Sequence, residues 1–229
     1  VAGLFFPGEQ DTTLEDRIST VESRLEGIDL APGPKVAYVD AETLFTRVFW
    51  AQVQAERQAM ERKQKEIQDL ALRYSQGEIP QDQYEETLLL LQAELLEANL
   101  TIILTMLDKM ITSPGFANFR SDLELIREQA RPVRDGVRNL VETASLGIVD
   151  REGFLAQYQQ HQLAFQQLDQ LLTQAAAAKI AEIAQQVGRE QGYDLVLKRQ
   201  DVVIYRNPEG VGDISPTVEQ RLWNLFPAG

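Results

Sequence analysis

His161 is the single histidine of this 229-residue chain, and cysteine is absent. Disulfides, thiolate-held zinc and cysteine nucleophiles are therefore excluded. One histidine cannot build a multi-histidine metal site within one chain. Tyr158 stands three residues before it, where a di-iron helix would carry glutamate. His161 lies between Tyr158 and Phe165 on an apolar helical seam, so it reads as a hydrogen-bonded core histidine, with a ligand or pH-switch role as the alternative. Glu85 and Glu86 are adjacent and point apart on a helix, which leaves them as solvated surface. Gly210-x-Gly212 follows a strand-like run but lacks the third glycine and the long helix of a dinucleotide site. There is no phosphate-cradling loop and no nucleophile elbow. The expectation is a protein that is not an enzyme, with no cofactor and no metal.

The charge balance narrows the partners. Thirty-five acidic residues against 22 basic ones give −13 at pH 7. Nucleic acid and strong anionic-lipid binding both call for a concentrated cationic footprint, and neither is expected. An apolar fraction of 44% with 25% charged residues is ordinary for a folded chain. The most apolar stretch, Leu88 to Ile111, carries Glu94, Glu97, Asp108 and Lys109, so no membrane span is expected there. Val1-Ala2-Gly3-Leu4-Phe5-Phe6 reads either as the tail of a signal or anchor segment or as a frayed apolar end.

With no chemistry to position, the elements themselves carry the information. Residues 1–33 form an acidic leader with seven acidic and two basic residues. Leu14, Ile18, Val21, Leu25 and Ile28 give it a heptad seam, a stalk or tether that needs copies of itself or a neighbouring surface. Lys35 to Asp40 reads as a short strand, with Asp40 as N-cap of the helix that follows. Four helices are predicted, at about 41–75, 81–112, 116–145 and 150–190, together forming an arm over residues 41–191. The first has a thin seam of Val53, Met60, Ile67 and Tyr74. The second is apolar over a wide arc: Tyr84, Leu88, Leu91 and Leu95 on one stripe, with Leu89, Leu96, Leu100, Ile103 and Leu107 beside it. The third alternates spacings of 3 and 4 from Phe116 to Ala144, and Pro132 inside it predicts a kink. The fourth carries Phe154, Tyr158, His161, Phe165, Leu168, Leu172 and Ala175, then shifts its seam to Ile180, Ile183 and Val187.

Two features link the ends and the tips. Ser75-x-Gly77-x-Ile79-x4-Tyr84 aligns without gaps with Ser145-x-Gly147-x-Val149-x4-Phe154, the same helix-hairpin tip used twice. Beyond Gly192 the period changes to that of strands. Leu195-Val196-Leu197 and Val202 to Tyr205 read as a hairpin, Asn207 to Gly212 as a loop, and Ser215-Pro216 as the capped start of a last short helix. Three strands cannot stand alone, so the strand at 36 must join those near 200. Residues 34–40 plus 192–229 thus form a small β body that sends the helices out as one excursion. The fold class is mainly α with a small β body, with coiled-coil-like hairpin arms projecting from a base that favours oligomers.

Lys35-Val-Ala-Tyr-Val-Asp-Ala-Glu-Thr-Leu-Phe45 resembles the opening of the Skp (OmpH-type) periplasmic chaperones. Ala181 to Leu197, Val203-Ile-Tyr-Arg-Asn207 and Asp213-Ile-Ser-Pro-Thr-Val-Glu-Gln-Arg-Leu222 resemble that family's closing helix, strand and helix. The resemblance covers about a third of the chain. It implies a homotrimer held by a β body, here Val36, Tyr38, Val39, Leu195, Val196, Leu197, Val203 and Tyr205. It also implies a periplasmic, ATP-independent holdase whose arms enclose unfolded outer-membrane or envelope proteins; the candidate N-terminal anchor rests on residues 1–6 alone. Leu89, Leu96, Leu100, Ile103 and Leu107 are the candidate client contacts, and Pro132 the arm kink. Packing of those leucines against the third and fourth helices is the competing expectation. Four arm helices rather than one hairpin, an acidic charge and the leader depart from the family. The alternative is a trimeric coiled-coil spacer or envelope tether that binds no client.

Overall fold

The computed structural model describes residues 33–147, 150–199 and 210–226. The chain enters strand β1 (Val36–Val39), whose alternating residues divide between two faces: Ala37 and Val39 are buried, Val36 and Tyr38 are not. Asp40 then caps the next helix, its carboxylate accepting from the Thr43 N–H at 3.0 Å. That helix is not uniform. Helix α1 (Ala41–Leu44) widens into a π turn at Phe45–Phe49, tightens into a 3₁₀ turn at Trp50–Val53, and resumes as α2 (Gln54–Ser75). The irregular stretch stacks Phe45 on Phe49, with ring centroids 5.5 Å apart, and sets Phe49 edge-on against Phe116 and Phe226.

Helix α3 (Gln81–Thr112) follows with the boundaries predicted. It is packed by α2 on one side and by α4 (Arg120–Ser145) on another, and it also meets α5 (Arg151–Glu190). Its wide apolar arc is used by several neighbours at once. Among its 32 residues ten are buried, whereas Leu70 is the one buried residue of α2. A thin seam makes a helix held along one face, and that is how α2 sits. The predicted seam of α4 is buried at Leu123, Ile126, Ala130, Val133, Val137, Leu140 and Ala144. Its start differs from the sequence expectation. Pro114–Phe119 is a 3₁₀ turn, and the non-helical dihedrals fall at Phe116 (φ −105°, ψ 16°), while α4 itself runs as one helix through Pro132. The non-helical break lies in the turn after Ser113-Pro114-Gly115, and Pro132 lies inside the continuous helix α4.

The hairpin tips share one construction. Ser75 Oγ donates to the Leu72 carbonyl and Ser145 Oγ to the Glu142 carbonyl, each at 2.7 Å. Gly77 (φ 73°) and Gly147 (φ 68°) take the left-handed C′ position that ends a helix. The Tyr84 and Phe154 N–H groups close the next helices on Pro80 and Asp150. An ion pair between Arg151 and Glu85 joins the two tips.

Helix α5 leads to β2 (Leu195–Lys198), and β3 (Val211–Asp213) leads to α6 (Ser215–Trp223). The sheet order is β2-β1-β3, with β1 parallel to both neighbours. Val36 pairs in register with Leu195 and Val211, and Tyr38 with Leu197 and Asp213. Residues 211 and 212, read as loop from their glycines, are therefore strand. The predicted hairpin partner Val202–Tyr205, including Val203 and Tyr205, lies outside the described residues. Ser215 opens α6, but its hydroxyl accepts from the Asp40 N–H at 2.9 Å, and Ile214 stands at the cap position. The hydroxyl thereby ties the last helix to the end of β1 instead of capping its own turn.

Candidate functional site: the sheet face and the helical arm

Strand alternation sorts the predicted association residues into two groups. Val39 is buried, and Val196 packs where a side chain at Gly188 of α5 would otherwise stand. Both pack into the chain's own core, on the side of the sheet that carries Ala37. Val36, Tyr38, Leu195 and Leu197 occupy the opposite face, joined by Val211 and Asp213 through the register of β3. Leu195 and Leu197 are each 48% exposed. The Tyr38 hydroxyl donates to the Asp213 carboxylate across this face, which orients the ring over the sheet. Among the described residues, helices pack on the side of the three-stranded sheet that carries Ala37 and Val39, and the other side carries Val36, Leu195, Leu197 and the Tyr38–Asp213 pair.

The surplus leucines of α3 are placed differently from the sequence expectation. Leu89, Leu96, Leu100, Ile103 and Leu107 are between 0% and 8% exposed. Leu96, Leu100, Ile103 and Leu107 join the main core, and Leu89 joins a second cluster with Ala93, Leu140, Ala144 and Phe154. They are therefore consumed by packing within the chain and present almost no surface to solvent. The larger apolar exposure on the arm lies elsewhere, at Leu146, Leu163, Leu125 and Leu72, with Leu155 less exposed. By length and composition α3 is also apolar enough to cross a membrane, contrary to the expectation drawn from its four charges. In this fold it is the shared packing element of the arm.

His161 is half-buried, and its ring lies directly on Gly136 of α4: a Cβ there would stand 2.1 Å from Cε1. No hydrogen bond to another described residue holds the ring, so steric fit replaces the expected polar partner. The glycine one turn after Pro132 was the available signal. Burial lowers the His161 pKa below its ordinary 6.5, just as burial raises that of Tyr158 one turn away. The folded state then binds a proton less readily than the unfolded chain. Stability is full above pH 6.5 and falls as pH drops from there towards the lowered value. Denaturant midpoints should decline between pH 7 and pH 5 more steeply in the wild type than in His161→Gln; parallel curves would exclude the linkage.

A polar cleft of about 530 Å³ opens beside the cap of α1, lined by Asp40, Glu42, Thr43, Arg47 and the Lys198–Arg199 pair. Its charges are largely internal: Arg199 pairs with Asp40 at 3.0 Å and Arg47 with Glu219 at 3.4 Å. Among the described residues no group of three histidine or carboxylate side chains is placed to hold a metal ion. No family model, curated protein or solved structure matches the chain.

Proposed function

We propose that this chain is one subunit of a homotrimeric, ATP-independent holdase of the cell envelope, acting in the periplasm on unfolded outer-membrane or envelope proteins. The observation that supports the reading is the sheet: both ends of a long helical excursion meet in it, and on one of its faces Leu195 and Leu197 are about half exposed. Half-exposed leucines on paired strands are stabilised when copies of the same face meet. The resemblance of residues 35–45, 181–197 and 213–222 to the Skp family supports the same arrangement. Client contact falls to dispersed exposed residues such as Leu125, Leu155 and Leu163, each worth little alone. Many weak contacts suit a holdase, because a single tight site would oppose release.

The filled arm favours a second reading, a trimeric spacer or tether, since the apolar arc of α3 is consumed inside the subunit. One experiment separates them. An unfolded outer-membrane β-barrel protein is diluted into the trimer, and native mass and turbidity are followed. The holdase is expected to suppress turbidity and gain the mass of one client. A trimer that leaves the client to aggregate would leave the spacer.

A further inference from the structure

His161 stands in the seam that joins α4 to α5. Its ring lies against the backbone of Gly136, where a Cβ would be 2.1 Å from Cε1 and 2.5 Å from Nε2, so the glycine is what admits it. Val133, Val137 and Leu168 continue this seam in the main core, with Tyr158 and Phe165 packed against it. Among the described residues the imidazole has neither a hydrogen bond nor an ion pair. We propose that His161 is an acid-released latch: the neutral ring closes α4 on α5, and the imidazolium opens the seam and bares the apolar arc of α3.

The charges on the surrounding helices do not compensate an imidazolium. On α4, Asp135 already accepts from Arg134 Nε at 3.1 Å and Nη2 at 3.0 Å, and exposed Arg138 adds a second cation. On α5 no charged residue lies within one turn on either side, and Asp169 is about 12 Å away along the axis. Tyr158, the titratable neighbour there, is held neutral by burial, which raises its pKa. On α3, Glu94 pairs with Lys63, and Glu97 lines the cleft towards α2. A proton on His161 thus places an uncompensated charge in an apolar seam, and the ring must reach water to relieve it.

Linkage fixes the sign. Burial lowers the pKa of the closed form below 6.5, while the open form takes up its proton at the ordinary value. Opening is therefore favoured as pH falls below 6.5, by up to about tenfold per pH unit, until the lowered value is passed. Leu96, Leu100, Ile103 and Leu107 share one core cluster with the residues of this seam. Release would give the arm the client surface that its closed form lacks. That consequence rests on the holdase reading, whereas the latch itself does not.

A lone histidine gives one imidazole signal to follow. In the full chain with no added histidines, NMR titration should place that signal below 6.5 in the wild type and near 6.5 in Gly136→Ala, where the new methyl expels the ring. Hydrogen exchange, corrected for its intrinsic pH dependence, should show the α4–α5 seam opening about tenfold more at pH 5 than at pH 7 in the wild type. In His161→Gln the two pH values should agree, and Gly136→Ala should open the seam already at pH 7. Equal acceleration in wild type and His161→Gln, or a wild-type imidazole titrating at 6.5 or above, overturns the latch. Turbidity of an unfolded outer-membrane β-barrel protein is read in parallel at both pH values. A seam that opens at pH 5 with no better suppression than His161→Gln overturns the link to client holding and leaves the latch standing.

Discussion

A chain carrying Leu195→Asp and Leu197→Asp should run in solution at 25.9 kDa, where the wild type should run near 78 kDa, three times the chain mass. The two leucines are half exposed in the subunit, in register with Val36 and Tyr38, and their side chains point away from the subunit's own helices. Replacing them therefore leaves the internal core of the body, Ala37, Val39 and Val196, untouched. In the assembled face each aspartate would bring an unpaired charge into apolar surroundings. That costs several kcal/mol on top of the leucine burial it forfeits. Two such sites per subunit shift a dissociation constant by roughly three decades or more, since each 1.4 kcal/mol is tenfold. Far-UV circular dichroism should keep its helical signal, because the arm packs within one chain. Retention of the trimer would move the subunit contact off this face, and loss of helix together with mass would show that the sheet is needed for folding itself.

How far these features were legible depends on the distance over which each is determined. The second helix was readable to the residue because Pro80 and Ser113-Pro114 bound it locally and its leucines are dense. The seam of α4 was equally plain, as each buried residue lies three or four from the last. The sheet was readable in part. Periodicity located β1 and β2 and the need for them to join, while their parallel register is visible only in the structure. Strand β3 escaped because Gly210 and Gly212 read as loop. Gly212 is in fact the place where a side chain would meet the Tyr193 ring, so the glycine marks close packing on the inner face.

The candidate site was less legible for the same reason. An apolar arc states that surface will be buried and leaves open against what. For Leu100 and Leu107 the answer lies in α4 and α5, helices whose own seams each need a partner. Once those seams were known to be continuous from base to tip, α3 was the one element with enough apolar surface to serve both. The proposed holdase therefore uses other residues for client contact, and its proposed association face uses Val36, Tyr38, Leu195 and Leu197.

Lys179 is the residue whose placement ran furthest from its type, and it carries the second large effect. A lysine after four alanines reads as solvated surface, yet its side chain is 7% exposed. The cause lies about sixty residues earlier, where the 3₁₀ turn between α3 and α4 sets Phe116 and Phe119 against α5. The Lys179 ammonium stands 5.8 Å from the centroid of each ring, and Glu182, one turn along, holds it at 2.9 Å. Among the described residues Glu182 is thus the one charge that compensates a buried cation. Removing either partner is not equivalent. Glu182→Leu leaves the ammonium buried with two ring faces and no anion, and should cost about 3 kcal/mol or more. Lys179→Met keeps the stem against the rings and frees Glu182, which is partly exposed, to be solvated; it should be neutral or stabilising by about 1 kcal/mol. In the double variant the penalty of Glu182→Leu should vanish, because the charge that created it is gone. Urea unfolding of the four chains reads this cycle, and equal costs for the two single variants would show that the ammonium is solvated rather than held in the core.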